Sequence, residues 1–257
     1  MRVIALDTDV LVVISRFWQT TCTAVRSGGE GLVVDSPVLP DELEALPKVL
    51  SEARFPVDGL LTTHADWDHL LGAFAFSEAP LGCAESTATR LAAEPQAAER
   101  DLREFDDKDY IQRPGPLVLG TVQALPVPGR VSIGERELEL HRTQGHVPDG
   151  MAIFVPWARV LVCGDYLSPV EIPWISEEGS IEAYRATLER LRPLVAEAAS
   201  VVPGHGAPLD SDVAMTLLDE DIEYLDRLER DGTEATLPAG RATSAQQRIH
   251  EANVKRL

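Results

Sequence analysis

Thr63-His64-Ala65-Asp66-Trp67-Asp68-His69 directly follows the mostly apolar run Val57 to Leu61 and sets two imidazoles and two carboxylates within six residues. An extended chain places residues two apart on the same side. His64, Asp66 and Asp68 can therefore face one pocket, and His69 joins them only where the chain turns. Imidazole nitrogen and carboxylate oxygen are ligands that zinc, iron and manganese have in common. Packing does not explain such a stretch, because none of these groups gains from burial unless it is paired. It reads as half of a metal site.

Three further places carry ligand-type residues beside Gly or Pro at the ends of apolar runs. They are Gly145-His146-Val147-Pro148-Asp149, Gly164-Asp165-Tyr166 and Pro203-Gly204-His205-Gly206. Each side chain would emerge from a sheet edge on a tight turn, and glycine lets the backbone turn sharply and approach a metal or substrate. Of the six histidines only His141 and His250 lie outside these motifs. His141 follows a strand and reads as a surface or core residue, and His250 sits among polar residues and reads as solvent-exposed. Asp149 reads either as an orienting partner of His146 or as a cap. Tyr166, next to Asp165 on a strand, is expected to point away from the site.

In this order the four motifs resemble the metallo-β-lactamase superfamily of metal-dependent hydrolases, from the strands of Thr21 to Val34 through to the His205 loop. The resemblance implies an α/β fold, the αβ/βα four-layer sandwich of two mixed sheets flanked by helices. It implies that His64 and His146 hold a first metal, that Asp68, His69 and His205 hold a second, and that Asp165 bridges both. Asp66 is the departure. Most of the family has His there, in the pattern His-x-His-x-Asp-His, and a carboxylate is closer to the flavodiiron branch, which carries Glu and binds two irons.

Charge shows why this matters. With Asp66, Asp68 and Asp165 ionised, three carboxylates and one hydroxide balance two divalent cations, whereas His at 66 would leave one positive charge. A neutral cluster is the weaker Lewis acid. An added oxygen donor also makes iron or manganese candidates beside zinc. If Asp66 does not ligate, one tight metal remains at the second site. The resemblance implies hydrolysis of an ester, thioester, lactone or related acyl substrate by a metal-bound hydroxide, with Asp68 as the catalytic residue that orients it and passes a proton to the leaving group. A di-iron redox or oxygen-reactive protein, and an inactive member that binds a small ligand, stay open as alternatives.

Outward from the motif, β-branched runs separated by Asp, Gly and Ser turns predict strands at Val3–Leu6, Val10–Ile14, Thr21–Arg26 and Gly31–Val34. Helical spacing predicts a helix from Asp41 to Arg54, with Pro47 either kinking it or marking its start. Ser86-Thr87 is a candidate cap for a helix over Ala88–Ala93. Residues 94 to 115 are acidic, with weak periodicity, and read as an irregular or partly helical insertion over the pocket. Strands are predicted at Val122–Leu125, Val131–Ile133, Glu137–His141, Met151–Val155 and Val160–Cys163. Helices follow at Ile181–Ala196, capped by Ser180, then Val213–Arg230 and Ala245–Leu257. Strands then helices occur twice, which suggests two packed sheets with helices on both outer faces. The expected division is a metallo-β-lactamase-like domain over 1–209 and a helical extension over 210–257 packed on it. Val213–Arg230 either packs on the core or forms a homodimer contact.

The formal net charge of −19 argues against nucleic acid and anionic membrane surfaces as partners, since no Lys/Arg cluster offsets it. A small-molecule substrate is the expected partner. Cys22, Cys83 and Cys163 lie in apolar runs without CxxC spacing and read as buried thiols, which suits a reducing cytoplasm. Neither a signal peptide nor an apolar run of membrane-spanning length is read in the sequence.

Overall fold

Val10 to Ile14 are buried on both faces of their strand, and the two faces enter different cores. Val10, Val12 and Ile14 meet residues of a second sheet, while Leu11 and Val13 meet a helix. A strand apolar on both sides needs a covering layer on each, and this strand has both. The computed structural model describes residues 1–257.

The first sheet runs in chain order through β1 (Arg2–Asp7), β2 (Val10–Ile14), β3 (Thr21–Ser27), β4 (Glu30–Asp35), β5 (Gly59–Leu61), β6 (Leu81–Ala84) and β7 (Val122–Leu125). It is antiparallel up to β4 and parallel beyond it. The second contains β8 (Gly129–Ile133), β9 (Arg136–Arg142), β10 (Met151–Val155), β11 (Val160–Val162), β12 (Ser200–Val202) and β13 (Leu209–Asp210), in the order β13-β12-β11-β10-β9-β8. Only β11 and β12 pair in parallel there. Between the sheets, Val10, Val12, Val25 and Val34 pack against Leu138, Met151, Ile153 and Val162. Burying each such side chain contributes roughly 1.5–3 kcal/mol.

On the outer face of the first sheet lies α1 (Pro40–Glu52), through Leu46 and Leu50. On that of the second lie α5 (Ile181–Glu197) and α6 (Ser211–Asp231), through Leu188, Leu191, Leu218 and Leu225. The remaining helices are α2 (Gly72–Ala75), α3 (Glu85–Ala93), α4 (Ala97–Asp109) and α7 (Ser244–Val254). Helix, sheet, sheet, helix is the four-layer sandwich expected from the sequence. No helix is long and apolar enough to cross a membrane.

Several local expectations change. Pro40, at the first helical position where a missing N–H costs nothing, starts α1, and Pro47 lies inside it. β6 passes straight into α3 at Glu85, so Ser86 and Thr87 are helical and cap nothing. The acidic insertion over 94 to 115 is partly helical, as one of its readings had it: residues 97–109 form the regular helix α4, which buries Leu102 and Phe105. Its outer face is charged, and that left the apolar periodicity too sparse to read.

Candidate metal centre

The strands stop where the ligand-type residues begin. Beyond β5, Asp66 is still extended, and then Trp67–His69 make one 3-10 turn closed by the His69 N–H to the Asp66 carbonyl at 3.1 Å. That turn is what His69 needed in order to face the same way as His64. His146 lies in the β9–β10 connection, Asp165 just past β11 and His205 just past β12. The two sheets are tied together here: Met151 N donates to the Thr63 carbonyl at 2.8 Å and Thr21 N to the Gly204 carbonyl at 2.8 Å. At Gly204 a Cβ would overlap Asp165 Oδ1. Only glycine lets the His205 loop come so close to Asp165.

All seven residues singled out in the sequence meet at this place, in overlapping groups: His64 with Asp66 and His146, Asp68 with His69 and His205, and Asp165 with His64 and His69. Asp66 Oδ2 lies 3.6 Å from His64 Nε2 and 3.4 Å from His146 Nε2. Asp68 Oδ2 lies 3.4 Å from His205 Nε2 and 3.7 Å from His69 Nε2. Asp165 divides itself between the two groups. Its Oδ2 faces His64 and His146 at 3.8 and 3.4 Å, and its Oδ1 faces His69 and His205 at 3.1 and 3.5 Å.

Each imidazole is held from behind through Nδ1. His146 Nδ1 lies 2.9 Å from the Trp174 carbonyl, His205 Nδ1 3.2 Å from the Trp18 carbonyl, and His69 Nδ1 3.0 Å from Asp35 Oδ2. These partners only accept, so Nδ1 carries the hydrogen and the Nε2 lone pair points at the centre. For His64 the partner is Thr63 Oγ1 at 3.0 Å, whose own hydrogen is spent on Asp35 Oδ2 at 2.9 Å, so it too accepts. Asp35 has a φ of 55°, a costly conformation for a residue other than glycine. Hydrogen bonds from Thr63 N, Thr63 Oγ1 and His69 to its carboxylate hold it there.

Nε2 of His64, His69 and His146 and Oδ1 of Asp165 are buried without a hydrogen-bond partner in the protein. Buried lone pairs that converge without a donor are costly, and a divalent cation satisfies them. The electrostatics agree. Burial disfavours charge on His146, yet the carboxylates of Asp66 and Asp165 close by raise it to about 9. His205 is likewise raised to about 10, with Asp165 foremost against its burial. Burial pushes the Asp66 carboxyl upward, but His146 and His64 hold it well below the carboxylate range. The residues present fit divalent metal.

The sequence reading missed several residues that shape this centre. Arg90 of α3 donates to Asp66 Oδ1 and to Asp149 Oδ1, both at 2.9 Å. Asp149 does not orient His146. Its other oxygen accepts from Ala65 N at 3.1 Å. Tyr166, expected to point away, stands behind the site, with its hydroxyl accepting from His146 N at 3.3 Å. Tyr184 donates to the Asp165 carbonyl at 2.9 Å. Trp67 packs on Phe105 and Trp18, away from the ligands. His250 is buried, against expectation, with Nδ1 3.1 Å from the Tyr224 hydroxyl.

The metallo-beta-lactamase superfamily profile matches residues 15–205. No curated protein matches the chain. Among solved structures, a metallo-beta-lactamase family protein from Thermus thermophilus is similar, with a TM-score of 0.69 at 20% identity over 98% of this chain and 95% of that one. A metallo-beta-lactamase from Pontibacter korlensis gives a TM-score of 0.62 at 18% identity, over 85% of this chain and 98% of its own. A stereoselective inverting sec-alkylsulfatase from a Pseudomonas species gives 0.72 at 13% identity, over 98% of this chain and 49% of that chain. At these identities the likeness is one of fold. With the family profile spanning residues 15–205 of 257, the chain belongs to the metallo-beta-lactamase superfamily.

Proposed function

We propose that the protein is a metal-dependent hydrolase of a small acyl substrate: an ester, thioester, lactone or related compound. The observation that carries this reading is the split carboxylate of Asp165, each oxygen turned to its own pair of histidines. His64, Asp66 and His146 would hold one divalent ion and Asp68, His69 and His205 the other, with Asp165 shared. Zinc is the proposed metal, and iron or manganese are the alternatives that the oxygen of Asp66 admits. Ions bound there supply Lewis acidity and make water nucleophilic at neutral pH.

The chain's own residues do the rest. Asp68 is the catalytic residue of this reading: its carboxylate orients the attacking water by accepting its hydrogen bond, takes that proton as the oxygen attacks, and passes it to the leaving group. The outer partners of the four imidazoles fix the ring planes, so no reorganisation is needed during reaction. Beside His146 and Asp165 opens a recess lined by Ser168, Glu171 and Trp174. The half-exposed Trp174 indole stands 5.2 Å from the His146 ring and forms a wall for the substrate. The net charge of −19 favours a small neutral or cationic substrate over nucleic acid. Three buried free thiols suit a reducing compartment, and the cytoplasm is the proposed location.

The test is a panel of p-nitrophenyl esters, thioesters and lactones on zinc-loaded protein, with D68N alongside, which keeps an oxygen donor toward the ion and loses the basic carboxylate. Turnover that vanishes in D68N while zinc content persists supports the assigned role of Asp68. A protein holding two metals and silent across the panel would instead be a non-catalytic ligand-binding member. A second reading, a di-iron oxygen-reactive protein, draws on the three carboxylates Asp66, Asp68 and Asp165. Purified protein that is colourless, free of iron and indifferent to oxygen removes it.

A further inference from the structure

Asp66 stands where most of the family places a neutral histidine, and one surface-reaching side chain meets it. Arg90 spans two carboxylates with one guanidinium: Nη2 on Asp66 Oδ1 and Nη1 on Asp149 Oδ1, both at 2.9 Å. Asp149 is buried and anchored by Ala65 N within the same motif. Asp66 therefore has one oxygen occupied and offers only Oδ2 to the centre, toward His64 and His146. A planar fork can bridge two carboxylates in this way, and a lysine ammonium cannot reproduce its fixed geometry.

We propose that Arg90 is the positioning and charge-balancing partner of Asp66, and that the two together take the place of a histidine ligand. The pair presents one donor atom and no net charge, as histidine would. Arg90 offsets one of the two carboxylate charges it spans, so Asp66 reaches the centre with its charge balanced and Asp149 carries the remainder. This inference rests on the reading of the site as a metal centre with Asp66 as a ligand.

Two substitutions and their combination test it on the full chain, with zinc(II) as the probe. Zinc per chain is counted by elemental analysis and affinity is measured by competition with a chromophoric chelator. D66H leaves Arg90 with Asp149 as its one carboxylate partner and one more positive charge beside the cations than in the wild type, and should weaken the more labile zinc by at least about tenfold, within the range that loss of a supporting contact costs. D66H/R90M removes the surplus charge and should recover affinity to within about threefold of wild type, a coupling expected of residues in direct contact. R90M should thus strengthen zinc binding with histidine at 66 and fail to do so with aspartate there. R90K, which keeps the charge and loses the fork, should restore part of any zinc affinity that R90M loses. Should R90M not fold alone, D66H/R90K takes its place: it retains the surplus charge and should stay as weak as D66H. Equal effects of R90M in both backgrounds, or a D66H protein that holds two zinc ions as tightly as wild type, would overturn the proposal. A wild-type chain that binds no zinc would overturn the metal-centre reading beneath it.

Discussion

The two halves of the candidate metal centre differ in what stands behind them. His69 is backed by Asp35, buried at the end of β4, and His205 by the carbonyl of Trp18, in the β2–β3 connection. Asp66, in the other half, is backed by Arg90, whose side chain is 34% exposed on α3. His146 is backed by the Trp174 carbonyl, in a loop that the C-terminal segment holds. The half with His69 has a buried carboxylate directly behind it, which reaches the other half only through Thr63 and His64. That other half depends besides on a partly exposed ion pair and on a segment far along the chain, and ion pairs of that kind are screened by salt and contribute less. The half with Asp66 should therefore bind its metal more weakly and exchange it faster.

The largest expected effect comes from removing what the halves have in common. D165A should lose both metals and turnover together, a greater loss than the roughly 10–100-fold that follows removal of an outer partner. Elemental analysis reads this directly, and full metal content in D165A would break the account. D35A should narrow the gap between the halves. It frees His69 directly and reaches His64 of the other half only through Thr63, so the tighter site should weaken the more, by about 10–100-fold, and approach its neighbour, measured by chelator competition. Unequal sites that remain as unequal in D35A would contradict the comparison.

A third effect concerns pH. In protein stripped by a chelator, His146 and His205 are raised from 6.5 to about 9 and about 10. Groups whose pKa is raised on folding stabilise most below their unfolded value, and lose that contribution as pH climbs through the folded one. Stripped protein should lose stability progressively from about pH 6.5 to about pH 10. Reloaded protein, whose histidines carry metal instead of protons, should be flatter. Thermal melts across this range check the sign, and parallel profiles would count against metal at these histidines. The smallest effect lies furthest away. Asn253 accepts from Ile175 N and donates to the Pro173 carbonyl, bracketing Trp174. N253A should cost about 1–3 kcal/mol through unpaired buried backbone groups, with only a slight weakening of the Asp66 half. A larger shift at the other half would reverse the assignment.

The difference between the halves also marks how far the sequence could be read. Ligands at strand ends are local writing: two histidines and two carboxylates within six residues, and lone His or Asp residues between glycines, are legible without a structure. So was the sandwich, from strands then helices occurring twice and from the family resemblance that the four motifs carry. What stands behind the ligands was not legible. Arg90 is 24 residues from Asp66, Asp35 is 34 from His69 and Asn253 is 78 from Ile175. Nothing in the local pattern distinguishes these residues from ordinary surface arginines or turn aspartates. The C-terminal helix misled for a related reason. Gln246, His250 and Asn253 recur at helical spacing, but they are polar, and α7 buries them by hydrogen bonding where apolar residues would be expected.

The central claim is a centre for two metals divided by one carboxylate, and zinc stoichiometry tests it most directly. Titrating chelator-stripped full-length protein with zinc(II), followed by elemental analysis after gel filtration, should give two ions per chain, with the second taken up more weakly than the first. Saturation at a single ion, or no retained zinc at all, would contradict it.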